Sequence, residues 1–220
     1  MKKIDPKTTA LIILDMQNDV VHPKGKFAAS GAPLHAQKQK AVANIKSIAA
    51  AARAKGMPVI HIHMLCPPGT GLLNAPLFQG VASEAACLPG TWGAAAVDGL
   101  KPVKGDIVVE KQRMSGFSST TLDSKLRGVG AKKIVITGAW TNFSVEHTSR
   151  DGADLGYEVA VVTDGTATID DEWQNAALNY ALTNIAERVS TADVLKALGA
   201  PAPAKAAAKK PAARKPAARK

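Results

Sequence analysis

The chain has 220 residues, and 46% of them are hydrophobic, which is enough for one well-buried domain. Two cysteines are too few for a disulfide framework and favour a reducing compartment, and no apolar run approaches the ~20 residues of a membrane span. The net charge of +10 is concentrated at the C-terminus, because residues 201–220 carry five Lys and two Arg and no acid, which leaves +3 for residues 1–200.

The first residues do not resemble a secretory signal. The apolar run "ALIIL" is short, is followed directly by Asp15, and lacks a small-residue cleavage site. We therefore expect a cytoplasmic protein without a membrane segment.

Short β-branched runs alternate along the chain with alanine-rich segments of helical period. The runs predict six strands: Thr9–Asp15, Met57–His63, Gly105–Lys111, Lys132–Gly138, Tyr157–Asp164 and a weaker Glu187–Thr191. Apolar strands separated by helices are typical of a parallel sheet covered on both faces. Right-handed crossovers then predict a doubly wound α/β fold.

One long segment departs from this alternation. Residues 66–102 are rich in Gly and Pro and have poor periodicity, so we expect an excursion over the top of the sheet that serves as a lid or an oligomer contact. The chain is therefore predicted to form one domain over residues 1–200.

The C-terminal segment 201–220 has a different composition. It repeats "KPAAR" and alternates Pro and Ala with cations, so it cannot bury apolar surface and is predicted to be a disordered tail. Such a tail can contact nucleic acid or other polyanions weakly and without sequence preference. A purely solubilising extension is the simpler interpretation.

Several chemically useful side chains follow the predicted strands. In doubly wound folds, ligands bind beyond the carboxyl ends of the strands. Asp15 ends the first strand, His63 the second and Lys111 the third, and Ser144 follows the fourth. Lys111 is the natural partner for the Asp15 carboxylate, although a loop-bonding Asp15 and a surface Lys111 are the structural alternatives.

Ser144 has two interpretations. It lies near the start of a helix, where serine often caps backbone N–H groups, and spacing alone favours this cap. The same strand–turn–helix geometry also suits a nucleophile beside an oxyanion hole.

Three motifs resemble the isochorismatase-like, or cysteine hydrolase, superfamily. They are "ILDMQNDV" with Asp15, "VVEKQRMSGF" with Lys111, and "TGAWTNFSVEHTSRDGADLGYEVAVVTD" with Ser144, and the resemblance extends over about residues 8–195. It implies a six-stranded parallel sheet, an Asp–Lys–Cys triad and hydrolysis of an amide or ureide through a thioester. It also implies a cis peptide at Ala139–Trp140 and an oxyanion hole formed by the N–H groups of Trp140 and Ser144.

The chain departs from this family at the nucleophile, where Ser144 occupies the position of the cysteine. Three hypotheses follow. Ser144 is a slower nucleophile in a C–N hydrolase; or the site binds without efficient turnover; or the protein resembles the isochorismatase branch, which cleaves a vinyl ether without the cysteine. Family members are generally dimers or larger, so a homo-oligomer that acts on a small-molecule substrate is expected.

The remaining candidates concern the pocket. Gln17, His63, Phe117 and Trp140 are predicted to bind substrate, whereas Phe27 is expected to be ordinary packing. His61 and His63 lie on one face of a strand, but a metal needs three or more ligands, so no metal is predicted. The Gly-containing loops match no nucleotide-binding pattern, and no cofactor is expected.

Overall fold

The protein, described here as a computed structural model over residues 4–69 and 75–201, contains one six-stranded sheet. Its strands are β1 (Thr9–Leu14), β2 (Val59–Met64), β3 (Ile107–Lys111), β4 (Lys133–Ala139), β5 (Glu158–Ala167) and β6 (Glu187–Val189). All neighbouring pairs are parallel, in the order β3-β2-β1-β4-β5-β6. The prediction of a doubly wound parallel sheet is confirmed, and each predicted strand is present.

The central strands are apolar on both faces because both faces are covered. In β1, Leu11 and Ile13 face one hydrophobic core, while Ile12 and Leu14 face the other. Alternate side chains of a strand point to opposite faces, so a continuous apolar run is required wherever helices cover both.

The helices are α1 (Asn18–Val21), α2 (Ala32–Lys38), α3 (Ala41–Ala54), α4 (Pro76–Ser83), α5 (Leu122–Gly128), α6 (Glu146–Asp154), α7 (Asp171–Ala176) and α8 (Thr191–Ala197). Helices α3 and α8 contribute to the first core, and α5 and α6 to the second. The alanine-rich segment between β1 and β2 forms two helices, α2 and α3, and Lys40 between them has a left-handed φ of 55°.

The excursion over residues 66–102 packs on the loop after β1, in the part of it that the structure describes. Asn18 N donates to Ala95 O (2.9 Å), and Val97 N donates to Met16 O (2.9 Å). It also contains α4, which the Gly- and Pro-rich composition did not predict. These bonds hold the described part of the excursion against the loop that follows the carboxyl end of β1, and its role as a lid or an oligomer contact stays a prediction.

The basic tail lies outside the described residues, apart from Pro201. Its disorder and its contact with polyanions therefore remain predictions. Among the described helices, none has the length and apolar character needed to span a membrane.

Candidate active site

The strand order reverses between β1 and β4, and Asp15 and Ser144 follow these two strands. A crevice forms at such a reversal, beyond the carboxyl ends of the strands. Lys111 ends β3, two strands away from β1. Neighbouring strands are about 4.8 Å apart, so a long side chain is needed to reach from β3 to the crevice, and lysine provides it.

The structure brings Asp15, Lys111 and Ser144 into mutual contact. Ser144 Oγ donates to Asp15 Oδ2 (2.6 Å), and Lys111 Nζ lies 2.8 Å from the same oxygen. Lys111 Nζ is also 3.1 Å from Ser144 Oγ and donates to Arg113 O (2.9 Å). The spatial grouping expected from the strand ends is therefore present, although the chemical roles of the three residues stay predictions.

This group is almost completely buried. The Lys111 side chain is 0% exposed and that of Asp15 is 5% exposed. A buried ammonium and a buried carboxylate are costly singly, so each requires the other. Asp15 Oδ1 differs from Oδ2, because it is buried and has no hydrogen-bond partner among the described residues.

Asp15 and Ser144 come close together because the chain turns sharply after β1 and because the backbones of β1 and β4 lie very close to each other at their carboxyl ends. Asp15 has a positive φ of 48°, which turns the chain sharply at the end of β1. Gly138 has a φ of 114°, and a Cβ there would lie 2.1 Å from Leu14 O, so only glycine fits. The peptide bond Ala139–Trp140 is cis.

Ser144 lies in a π-helical turn, Thr141–Val145, that leads directly into α6. Its hydroxyl donates to Asp15 and makes no N-cap hydrogen bond, so the cap that spacing favours is not formed. From α7, Gln174 supports this turn by accepting from Thr141 Oγ1 (2.5 Å) and donating to Thr163 O (3.1 Å). Sequence reasoning missed Gln174, because nothing in the local pattern of α7 marks it as buried.

A small cavity opens beside Asp15 and Ser144, with a volume of about 40 Å³. Its other lining residues are mainly apolar: Val20, Phe27, Met64, Leu77, Val81, Met114, Ala139, Trp140 and Phe143. An apolar wall with a few convergent polar groups is typical of a small-molecule site. Trp140 lines this cavity, and its predicted contact with substrate stays a prediction.

Two residues predicted to contact substrate, Gln17 and Phe117, lie outside the cavity lining, and their contact with substrate stays a prediction. Gln17 is fully buried and uses its amide to donate to Met64 O (2.9 Å) and Ala94 O (2.7 Å), so it ties the β1 loop to its neighbours. Phe117 packs in the second core, stacked on Tyr157 at a centroid distance of 5.9 Å. Neither residue lines the cavity.

Phe27 and His63 differ in their relation to the cavity. Phe27 packs against the first core, as expected, and it also lines the cavity, where it contacts Trp140 edge-to-face with ring centroids 5.9 Å apart. His63 is not among the cavity-lining residues, and its ring lies 6.1 Å from that of His61. Burial lowers the pKa of His63, although the Asp15 and Glu110 carboxylates act in the opposite direction.

No His, Cys, Asp and Glu cluster of three or more members suited to a metal occurs in the described part of the chain. Instead, His61 Nε2 contacts Asp106 Oδ2 at 3.0 Å. Both Cys66 and Cys87 are buried, and burial raises the pKa of each thiol. They are therefore poor nucleophiles.

The charged residues of α6 lie away from the site. Glu146 and Arg150 form an ion pair (3.1 Å), as the helical spacing predicts. His147 Nδ1 contacts Phe143 O at 2.9 Å and its side chain is exposed, so it does not act as a base for Ser144.

Comparison with known proteins agrees with this architecture. Residues 9–193 match the Isochorismatase domain family. In an alignment 221 positions long, the chain is 35% identical to the ureidoacrylate amidohydrolase RutB of Enterobacter sp. (strain 638). The alignment covers 92% of this chain and 94% of that protein.

Solved structures with the same fold include two hydrolases. A cysteine hydrolase from Pseudomonas syringae pv. phaseolicola 1448A has a TM-score of 0.80 at 26% identity, covering 90% of this chain and 96% of that one. An N-carbamoylsarcosine amidase from Thermoplasma acidophilum has a TM-score of 0.67 at 27% identity, covering 84% and 96%.

Proposed function

Because this chain belongs to the isochorismatase family of hydrolases, we propose that it hydrolyses a C–N bond of a small amide, carbamoyl or ureide substrate. The observation that carries the proposal is the 2.6 Å hydrogen bond from Ser144 Oγ to Asp15 Oδ2, with Lys111 Nζ within 3.1 Å of both oxygens. The names of similar proteins, a ureidoacrylate amidohydrolase and an N-carbamoylsarcosine amidase, support the same substrate class.

The first step is attack of Ser144 Oγ on the substrate carbonyl carbon, while the hydroxyl proton passes to Asp15 Oδ2. The C–N bond then breaks, and the proton moves from Asp15 to the leaving nitrogen. Ammonia or an amine departs, and Ser144 carries the acyl group as an ester. The negative oxygen of the tetrahedral intermediate is held by backbone N–H groups of Trp140 and Ser144, as the family resemblance implies.

The second step is hydrolysis of this ester. A water molecule attacks the acyl carbon and gives its proton to Asp15, which returns it to Ser144 Oγ as the acid product leaves. In both steps Lys111 stabilises the ionised Asp15 and the charge that develops on Ser144 Oγ.

A serine at this position predicts slow turnover. A thiol has a pKa near 8.5 and is easily activated by a cation, whereas an alcohol is much less acidic and Asp15 is a weak base for it. We therefore expect Ser144→Cys to release product faster than the natural chain by one or more orders of magnitude.

The test is ammonia release from a panel of small amides and ureides by the natural protein, Ser144→Cys and Ser144→Ala. Activity of the natural protein and Ser144→Cys, with Ser144→Ala inactive, supports an alcohol nucleophile. Activity of the Ser144→Cys variant alone identifies an amidase scaffold without a working nucleophile. Inactivity of both contradicts C–N hydrolysis for that panel.

A second candidate is vinyl-ether hydrolysis of the isochorismatase type, favoured by the match of residues 9–193 to the Isochorismatase domain family. In that reaction Asp15 acts as a general acid and no nucleophile is needed. Ser144→Ala then retains turnover of a vinyl ether, while Asp15→Asn abolishes it. C–N hydrolysis requires both residues, so the two variants separate the candidates.

A further inference from the structure

The π-helical turn Thr141–Val145 is held on one side by a hydrogen-bond network from β5 and α7. Gln174 Oε1 accepts from Thr141 Oγ1 (2.5 Å), and Gln174 Nε2 donates to Thr166 Oγ1 (3.0 Å) and to Thr163 O (3.1 Å). The amide of Gln174 therefore uses its acceptor and both of its donor hydrogens. Thr141 and Thr166 are fully buried and Gln174 is 3% exposed, so solvent does not weaken these hydrogen bonds.

The first residues of this turn are fixed by side chains that lie outside it. Among the described residues, Trp140 at the N-cap position makes no side-chain capping hydrogen bond, so the usual support of a helix start is missing. Instead, Thr141 donates to Gln174, and Asn142 Oδ1 accepts from the hydroxyl of Thr168, just after β5. The turn that carries the nucleophile is therefore positioned from α7 and from the end of β5.

A small displacement of this turn affects the contacts of Ser144 directly. Ser144 Oγ donates to Asp15 Oδ2 at 2.6 Å and lies 3.1 Å from Lys111 Nζ. A shift of about 1 Å away from these two groups takes both contacts beyond the range of a hydrogen bond. Misplacement of about 1 Å can lower the rate of an enzyme by about 10²-fold, even when it originates at a residue remote from the chemistry.

We propose that Gln174 is a positioning residue for the reaction: through its hydrogen bond with Thr141 it fixes the turn that carries Ser144, and so keeps Ser144 Oγ in contact with Asp15. This inference rests on the proposed function, because it concerns the nucleophile of that reaction. Gln174 is not among the residues that line the cavity. Its loss therefore lowers kcat, which depends on the placement of Ser144, and leaves KM nearly unchanged.

Two substitutions of similar size test this hydrogen bond from its two ends. Gln174→Met removes the amide, and Thr141→Val removes the hydroxyl. We expect each to lower kcat for ammonia release by about 10- to 100-fold and to change KM by less than about threefold. The double variant should be no slower than Gln174→Met, because either substitution alone breaks the same hydrogen bond. Thr141→Ser keeps the hydroxyl and should keep kcat within about threefold of the natural value.

The matched control is Tyr157→Phe, which removes one hydroxyl and keeps the shape of the side chain. That hydroxyl donates to Asp123 Oδ1 (2.7 Å) just before β5, at the edge of the sheet opposite the site. The control should lower the urea midpoint of unfolding while kcat stays within about twofold. Every variant is assayed at a temperature where circular dichroism shows that it is folded.

A measurement without turnover separates this inference from the proposed function. In the Ser144→Cys protein, mass spectrometry follows the alkylation of the introduced thiol by iodoacetamide. Adding Gln174→Met should slow this alkylation by at least about threefold, because the sulfur moves away from Lys111, which favours the thiolate. Adding Tyr157→Phe should leave the rate unchanged.

Three results overturn the inference: folded Gln174→Met keeps the parent alkylation rate, it changes KM alone, or Thr141→Ser loses as much activity as Thr141→Val. If the natural protein releases no ammonia but Gln174→Met slows the alkylation, the proposed function fails and the positioning of the turn by Gln174 is supported.

Discussion

Two clusters of this protein each join a buried carboxylate, a cation and a third polar group. One is Asp15 with Lys111 and Ser144. The other is Asp106, which receives two hydrogen bonds from Arg53 (3.0 and 2.7 Å) and contacts His61 at 3.0 Å.

The clusters differ in how completely the carboxylate is used. In Asp106, Oδ1 accepts from Arg53, and Oδ2 accepts from Arg53 and from Val103 N (3.0 Å) in addition to the His61 contact. In Asp15, Oδ1 is buried without a partner among the described residues, and Asp15 lines the cavity. A fully paired carboxylate stabilises the fold, whereas one that keeps an unpaired oxygen and contacts a serine hydroxyl is typical of a functional site.

The electrostatics of the Asp106 cluster fit a structural role. Burial opposes ionisation of Asp106, but the hydrogen bonds from Arg53 and Val103 outweigh it and lower the pKa of that carboxyl. Burial lowers the pKa of His61, although its contact with Asp106 opposes this. The cluster therefore joins α3, β2 and the turn before β3 through an ionised acid and a neutral imidazole.

The largest expected effect is loss of turnover in Asp15→Asn. The amide cannot accept the Ser144 proton, so the rate of ammonia release should fall by about 10²–10⁴-fold. The variant also leaves Lys111 buried without its counter-charge, so it should unfold at a lower urea concentration. Steady-state kinetics and urea denaturation measure the two effects, and an Asp15→Asn protein with normal turnover contradicts the assignment of Asp15 as base.

Asp106→Asn should show the opposite pattern. We expect a loss of about 1–3 kcal/mol in the free energy of unfolding, because the Arg53 and His61 contacts lose their ionised partner. Turnover should stay within about twofold, because a fully paired structural carboxylate takes no part in the reaction.

The control for that variant is Asp98→Asn, in which the carboxylate is 95% exposed and forms an ion pair with the exposed Lys101. Loss of such a pair should leave stability unchanged. A large change in the turnover of Asp106→Asn, measured at a temperature where the variant is folded, would mean that the Asp106 cluster takes part in the reaction. The distinction between a catalytic Asp15 cluster and a structural Asp106 cluster would then be wrong.

The next effect is a dependence of stability on pH near 6. Burial lowers the pKa of His35, His61 and His63 from 6.5 in the folded state. Between these lowered values and pH 6.5 the unfolded chain binds more protons than the folded protein does. The free energy of unfolding therefore rises with pH in this range and falls on acidification. Each such histidine contributes a slope of up to about 1.4 kcal/mol per pH unit.

His61→Gln tests this dependence, because glutamine keeps a donor for Asp106 and does not titrate. The slope of the unfolding free energy between pH 5 and 6.5 should be smaller in the variant than in the natural protein. Equal slopes would mean that His61 does not contribute to acid sensitivity.

The smallest effect on the folded domain is expected from deletion of residues 201–220, which removes a charge of +7. Turnover and stability should not change, but retardation of DNA at low salt should disappear. Measuring retardation at several salt concentrations checks the electrostatic origin. If affinity for DNA survives the deletion, the tail is not its source.

The strands and the three central residues of the site could be predicted because both follow from local rules. Continuous apolar runs indicate buried parallel strands, and the carboxyl ends of such strands meet at one edge of the sheet. Asp15, Lys111 and Ser144 each lie at or just past such an end, so all three were expected at the same edge of the sheet, where the structure brings them into contact.

The cavity walls could not be predicted in this way. Phe27 reaches the cavity and Phe117 does not, although both are aromatic residues in loops near the site. The difference depends on which face of the sheet each loop packs against, and loop sequences carry no periodicity that reveals it. Gln17 lies two residues from Asp15, yet its amide is used by backbone groups of distant segments.

The sequence by itself determined the number of strands and their positions along the chain, the burial of the central ones, and which residues stand at the carboxyl edge, because these depend on hydrophobic pattern and position along one strand. The tertiary structure decided which polar atoms are paired. Asp106 is satisfied by contacts from α3, β2 and its own turn, while Asp15 Oδ1 and Trp140 Nε1 have no partner among the described residues. Pairing depends on distances between residues far apart in the chain, and these exist only once the helices have packed on both faces of the sheet.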